Sequence, residues 1–243
     1  MPVPIFSISP QTAPGSISDS VEDSSLRTIR RVSLKDEAVQ RIRQAIERKE
    51  LKAGETVTEL ALARKLGVAQ PTIREALLEL EFIGYVERTA PRKTRVTSLS
   101  RRSIDGIYLV RTRLETLVAE LVAAQKEPQL QSCWEHLAEM EAAAKNGMVP
   151  EFFRADLEFH RALWRCSQNE CAESALERIV PKLFAFGIIQ HARPGAEKLI
   201  EICDLHRRLL KVILEGDLEA TRDLMELSME KAWLDDVQLP EPS

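Results

Sequence analysis

The sequence contains no apolar run near the length that spans a bilayer. Its N-terminus lacks the basic stretch followed by apolar residues that marks a secretory signal, so a cytoplasmic location with no membrane partner is expected. Cysteine is scarce, with four residues (Cys133, Cys166, Cys171 and Cys203) in a chain of 243 and no CxxC pair among them. The step of five from Cys166 to Cys171 suits neither a zinc knuckle nor a thioredoxin-type motif, and buried, reduced thiols are the expectation. No serine, cysteine or threonine stands at motif spacing from a base, which leaves nucleophilic catalysis without a candidate.

Charge is present but unevenly placed. Residues 27–102 hold 18 Lys+Arg against 10 Asp+Glu, a net of +8. Residues 103–243 hold 16 against 25, a net of −9, and residues 1–26 have three acids and no base. A basic part beside an acidic part suits a nucleic-acid reader joined to something that does not touch nucleic acid. Residues 1–28, rich in Ser, Pro and Gly in their first 25 positions and without any period, read as a disordered tail.

Residues 29–98 have the pattern of a winged helix-turn-helix. A first helix runs from about Leu34 to Arg48 with Ala38, Ile42 and Ile46 on one face. Lys52 to Glu55 form a turn, and Thr58 is a suitable N-cap for a second helix ending at Leu66. Gly67 can take the positive φ that a tight turn needs, and Pro71 suits the first turn of a third helix from Gln70 to Phe82. Leu62, Leu66, Val68, Ile73, Leu77 and Leu80 are spaced to share a core, which leaves Gln70, Thr72 and Arg74 facing outward. Tyr85–Arg88 and Arg95–Thr97 read as two strands around a basic tip, a wing carrying Arg92, Lys93 and Arg95.

From 102 to 237 every strong segment has a helical period, and six helices are expected near 102–126, 129–145, 149–167, 170–190, 195–215 and 217–236. The fold class is therefore mainly α: an N-terminal winged helix-turn-helix followed by a C-terminal antiparallel all-α bundle.

These residues resemble a known family. Glu59-x-x-Leu62-Ala63-x-x-Leu66-Gly67-Val68 followed by Ile73-Arg74-Glu75-Ala76-Leu77 is similar to the GntR family of bacterial transcription regulators. Val110-Arg111-x-Arg113-Leu114-Glu115, Asp156-x-x-Phe159-His160-Arg161, Asn169 and His206-Arg207 resemble the FCD-type effector domain of its FadR branch. The resemblance implies a homodimeric, ligand-responsive regulator, often a repressor, that binds double-stranded operator DNA and responds to a small carboxylic acid. The alternatives are a metal-dependent enzyme built on the bundle and a ligand-independent DNA binder.

On that resemblance, Arg74 contacts DNA from the recognition helix, and its fork suits guanine O6 and N7 or a phosphate. Gln70 can read adenine, Thr72 can donate to a phosphate or base, and Arg92, Lys93 and Arg95 hold phosphates. Family members commonly have Arg at the position of Gln70, so the operator sequence does not carry over.

In the bundle, Asp156 and His160 are four apart on one helix face, and His206 lies on a later helix within reach. The FCD pattern makes these three metal ligands, for zinc or nickel, with a fourth histidine on the last helix, where this chain has Ser228. Either the three hold an ion whose shell is completed by water or effector, with Ser228 holding a water, or no ion binds and His160 and His206 donate to an acidic effector. Arg111 is the residue the pattern aims at the effector carboxylate, with a salt bridge to Glu115 as its alternative occupation.

Overall fold

A computed structural model describes residues 33–90, 93–192 and 194–230. The expected tail at 1–28, the wing residue Arg92 and the last residues of the bundle lie outside these ranges.

The N-terminal part is assembled from three helices and a small sheet. Helix α1 (Leu34–Glu47) starts where Ser33 Oγ accepts the Asp36 N–H at 3.1 Å, which satisfies one of the orphan donors of a helix end. Strand β1 (Thr56–Val57) leads into α2 (Glu59–Leu66), capped by Thr58 Oγ1 accepting from Ala61 N–H at 3.2 Å. Gly67 ends α2 at φ +68°, and α3 (Gln70–Phe82) follows with Pro71 in its first turn. Strands β2 (Val86–Ala90) and β3 (Lys93–Val96) pair antiparallel, and β1 adds to the free side of β3 to give the order β1-β3-β2. The core of this part is Ile42, Ile46, Ile73, Leu77, Leu80 and Val96, all shielded from solvent. Each such side chain contributes on the order of 1.5–3 kcal/mol by leaving water. The two-residue β1 was not expected, because two residues are too short to show any alternation.

Among the described residues the C-terminal part has seven helices, not six: α4 (Arg101–Ala123), α5 (Gln131–Lys145), α6 (Val149–Cys166), α7 (Glu170–Ile179), α8 (Pro181–Ile189), α9 (Ala196–Glu215) and α10 (Leu218–Glu230). The single helix expected over 170–190 divides at Val180–Pro181. Proline has no N–H to offer the carbonyl four residues back, so the ladder breaks there even though Val180 keeps helical angles (φ −75°, ψ −42°). Gly187 is buried in the last turn of α8. Leu183, Phe184, Phe186 and Ile189 on α8 are all buried, as expected of a short central helix that is apolar all round. Helix α6 packs against α4, α5, α7 and α8 and buries Phe152, Phe153, Phe159 and Trp164.

The two parts meet through the turn after α3. Gly84 has φ +81°, and the backbone of Pro181 and Lys182 lies 2.4–2.5 Å from where a Cβ would stand. Arg161 donates to the Phe82 carbonyl at 3.2 Å while its guanidinium lies 4.5 Å from the Phe82 ring centroid. Glu47 of α1 adds two more links, accepting from Arg154 Nη1 at 3.4 Å and, through its carbonyl, from His191 Nε2 at 2.7 Å, while Tyr85 Oη of the same part donates to its carboxylate at 2.6 Å.

Candidate functional site

Two groups of residues carry chemistry. The first is the outer face of α3. Ile73, Ala76, Leu77 and Leu80 pin the helix to the core, which turns the opposite side outward. Gln70 and Arg74 are exposed and Thr72 is half-buried. Arg74 pairs with neither Glu75 nor Glu79 of its own helix. It forks onto Glu59 at the start of α2, with Nε 3.1 Å from Oε1 and Nη2 2.9 Å from Oε2. Gln70 Nε2 donates to the same carboxylate at 3.0 Å. These hydrogen bonds, that of Arg74 first and then that of Gln70, hold the Glu59 carboxyl below the usual carboxylate range. Lys93 and Arg95 are exposed on β3, where Arg95 Nη2 bridges to Glu87 Oε1 at 2.8 Å across the hairpin. Sequence reasoning missed Glu59, which reads simply as an acidic residue in the first turn of a helix.

The second group is a polar knot inside the bundle. Helix α4 supplies Arg111 and Glu115, α6 supplies Asp156, His160 and Trp164, and α9 supplies His206, and all are buried. The hydrogen bonds orient both histidines. His206 Nδ1 donates to the Ile202 carbonyl at 2.8 Å, which turns Nε2 toward Asp156. His160 Nδ1 donates to Glu115 Oε2 at 2.9 Å, and its Nε2 accepts from Arg111 Nη2 at 2.9 Å. Trp164 Nε1 also donates to Glu115 Oε2, at 2.8 Å, and Arg111 Nε donates to Oε1 at 3.0 Å. Burial pulls the His160 imidazole below its usual range, which keeps it neutral. Burial works against the charge of Glu115, but His160 and Arg111 more than offset it and hold this carboxyl low.

The outcome is a cluster of lone pairs. Asp156 Oδ1 lies 3.0 Å from His206 Nε2 and 3.5 Å from His160 Nε2. The three ligand atoms all lie within 4.8 Å of one another. Asp156 Oδ1 and His206 Nε2 have no hydrogen-bond partner, although both are buried and each faces the other. A positive charge between them satisfies both, either a proton on His206 Nε2, which makes the pair an ion pair, or a metal ion. The three residues that sequence reasoning brought together are thus adjacent in space and fit a divalent ion in donor type and arrangement. Ser228 is buried on α10, which packs on α4 and α9. Arg111 forms the salt bridge to Glu115 that was its alternative occupation, and it also donates to His160 Nε2, a contact the sequence did not suggest. Glu115 entered the sequence reading only as a partner for Arg111, and Trp164 did not enter it. A signal for both charges was present: 104, 107, 111, 115, 118 and 122 form the buried stripe of α4, and Arg111 and Glu115 interrupt it.

Asn169 Oδ1 accepts from Ala172 N–H at 3.0 Å and caps α7, as its position after α6 suggests. His136 pairs with Glu139 at 3.0 Å on the surface.

A three-helix winged reader followed by a helical bundle with a buried ligand cluster defines a ligand-binding transcription regulator. The chain belongs to the GntR family: residues 34–96 match the model of bacterial regulatory proteins of the gntR family, and residues 106–231 match the FCD domain. It is 31% identical over 173 residues to the HTH-type transcriptional regulator YdhC of Bacillus subtilis, covering 70% of this chain and 76% of that one. It is 29% identical over 119 residues to a probable D-xylose utilization operon transcriptional repressor of Paenarthrobacter nicotinovorans, covering 49% of this chain and 53% of that one. Among solved structures, E. coli McbR/YncC superposes with a TM-score of 0.62 at 22% identity, covering 82% of this chain and 95% of the other, a likeness of fold. No helix among the described residues is long and apolar enough to cross a membrane.

Proposed function

We propose that this regulator reads a two-fold symmetric operator as a homodimer and releases or grips it according to a small carboxylic acid bound in the α4–α6–α9 knot. Gln70, Thr72 and Arg74 enter the major groove, and the wing, with Arg92, Lys93 and Arg95, holds phosphates. We read the sign of regulation as repression, as for the D-xylose operon relative. The exposed Leu109, Val110 and Leu117 on the outer face of α4 favour a second copy of the chain as the covering partner.

The observation that carries the effector reading is the unpartnered pair Asp156 Oδ1 and His206 Nε2. With His160 Nε2 they would hold a divalent ion, zinc or nickel. A bound ion would supply an open position for a carboxylate oxygen. Both histidines would bind an ion through neutral ring nitrogens; Arg111, Glu115 and Asp156 then sum to one negative charge, so a divalent ion would leave one positive charge for an anionic ligand to cancel. His160 Nε2 now accepts from Arg111 Nη2. An ion competes for that lone pair, which frees one arm of the guanidinium while Glu115 still holds Nε. That free arm is where a carboxylate would be clamped.

Elemental analysis with native mass spectrometry on purified protein tests this. One zinc or nickel per protomer is expected, with a co-purifying acid. Asp156→Asn should abolish the ion, and chelation should remove roughly 2.7 kcal/mol of stability if the ion was present at a hundred times its dissociation constant. Protein that melts at the same temperature with and without added zinc or nickel overturns the metal reading and leaves the DNA reader untouched.

A further inference from the structure

Glu115 sits beside the ligand cluster but is not one of its three ligands. It is wholly shielded from solvent, and its two carboxylate oxygens are divided between helices. Oε1 accepts from Arg111 Nε at 3.0 Å, one turn back on α4. Oε2 accepts twice from α6, from His160 Nδ1 at 2.9 Å and from Trp164 Nε1 at 2.8 Å. A carboxylate present only to neutralise Arg111 could meet the guanidinium with both oxygens, the stronger arrangement for such a pair. Here one oxygen is given over to α6 instead. His160 and Trp164 are four apart, so Glu115 grips two successive turns of that helix. The indole can donate but not accept, which keeps Oε2 turned to this side.

The consequence falls on His160. An imidazole binds a cation through its bare nitrogen, and the hydrogen bond made by the other nitrogen settles which one is bare. A carboxylate only accepts, so Nδ1 keeps the proton, and Nε2 is left bare 3.5 Å from Asp156 Oδ1. Arg111 Nη2 lies 2.9 Å from that nitrogen and has no lone pair to offer it, so Nε2 is the acceptor there too. His206 is oriented differently: its Nδ1 meets the carbonyl of Ile202, four residues back on its own helix. One histidine of the cluster is thus set by its own backbone, and the other by a side chain of α4.

Resting on the knot as the ion-binding site proposed above, we propose that Glu115 is the positioning residue of that site. It holds His160 in the one tautomer, and at the one ring orientation, that presents Nε2 to an ion. Glutamine at this position is close in shape but accepts at one end and donates at the other, so His160 is free to carry its proton on either nitrogen. An ion then has to displace a proton from Nε2 in a share of the molecules. The ring also loses the charged acceptor behind it that makes it a more basic ligand.

The test takes two measurements on the full chain. Zinc affinity is read by competition with a chromophoric chelator, and ring tautomers by long-range proton–nitrogen NMR of the four histidines. Glu115→Gln should bind zinc about tenfold to a hundredfold more weakly than the unmodified protein. In metal-free Glu115→Gln a share of His160 should carry its proton on Nε2, while His206 keeps a proton on Nδ1. Equal zinc affinity, or a His160 that keeps its original tautomer, overturns the proposal and leaves the metal reading standing. Unmodified protein that takes up no zinc overturns the metal reading itself and this proposal with it, a result seen before any variant is made. If Glu115→Gln does not fold, the unmodified protein decides. His160 should show its proton on Nδ1 before and after zinc is added, and a proton on Nε2 in the metal-free state overturns the assignment.

Discussion

A carboxylate stands on the surface where DNA phosphates are expected. Glu59 holds Arg74 and Gln70 together, so DNA bound at this face as proposed would compete with an ion pair that is already made. This has two consequences at the scale of single residues. First, Arg74→Ala should cost about 1–3 kcal/mol of operator binding and much less on a scrambled duplex. Second, Glu59→Gln should raise affinity for any duplex, because it removes a negative charge facing phosphates, while the ratio of operator to scrambled binding falls, because the Arg74 fork loses the partner that orients it. Fluorescence anisotropy on both duplexes over a salt series measures the two effects separately. An unchanged ratio in Glu59→Gln would show that Glu59 has no part in selectivity. The exposure of Arg74 was legible in the sequence, because helix period sets it about 100° from Ile73 and farther still from Leu80, whereas Gln70 shares a side with Leu77 and is exposed as the first residue of the helix. Glu59 was not legible as their partner, since the contact spans two helices and its geometry depends on the angle between them.

Among the elements, the helices of the reader were legible to within a residue or two because each has a chemical stop. Ser33 and Thr58 cap two of them, and Gly67 ends one in the left-handed region. The division of 170–190 was legible in principle from Pro181, but the surrounding apolar residues continue the helical period across the break. That break has a role in packing: its backbone is what the turn at Gly84 docks against. The two glycines give a paired prediction. Gly67 and Gly84 both have positive φ, and nothing lies within 4 Å of an added Cβ at Gly67, while Pro181 backbone lies 2.4 Å from one at Gly84. Gly67→Ala should therefore cost about 1–2 kcal/mol, the price of left-handed backbone. Gly84→Ala should cost measurably more, because the reader must also back away from α8. Urea denaturation of both variants checks this, and equal costs would mean that the docking of turn on helix contributes little.

For the molecule as a whole, α6 links the two sites. Asp156 and His160 face the knot, while Arg154 and Arg161 on the same helix hold Glu47 and Phe82 of the reader. A ligand that shifts α6 at the knot therefore acts on the contacts that set the position of α3. Such a shift matters only if two readers are joined so that their spacing can match or miss the half-sites of an operator. The sequence carried the charge division between reader and bundle, but not which apolar side chains of α4 are left uncovered, because an exposed leucine in a string of residues is indistinguishable from a buried one. The structure leaves Leu109 at 68% exposure and Leu117 at 41%, two turns apart on one side of α4. If that side is the seam, Leu109→Glu with Leu117→Glu places like charges against each other in the dimer and leaves the monomer intact, since neither side chain contributes to the buried core. Light scattering should then report a monomer. Affinity for a full operator should fall by roughly 10²–10⁴, the gain that linkage of two binding modules supplies, while affinity for an isolated half-site stays unchanged. A double variant that remains dimeric and binds the full operator normally would move the seam to another face of the bundle. One that binds the half-site more weakly as well would point instead to a misfolded α4.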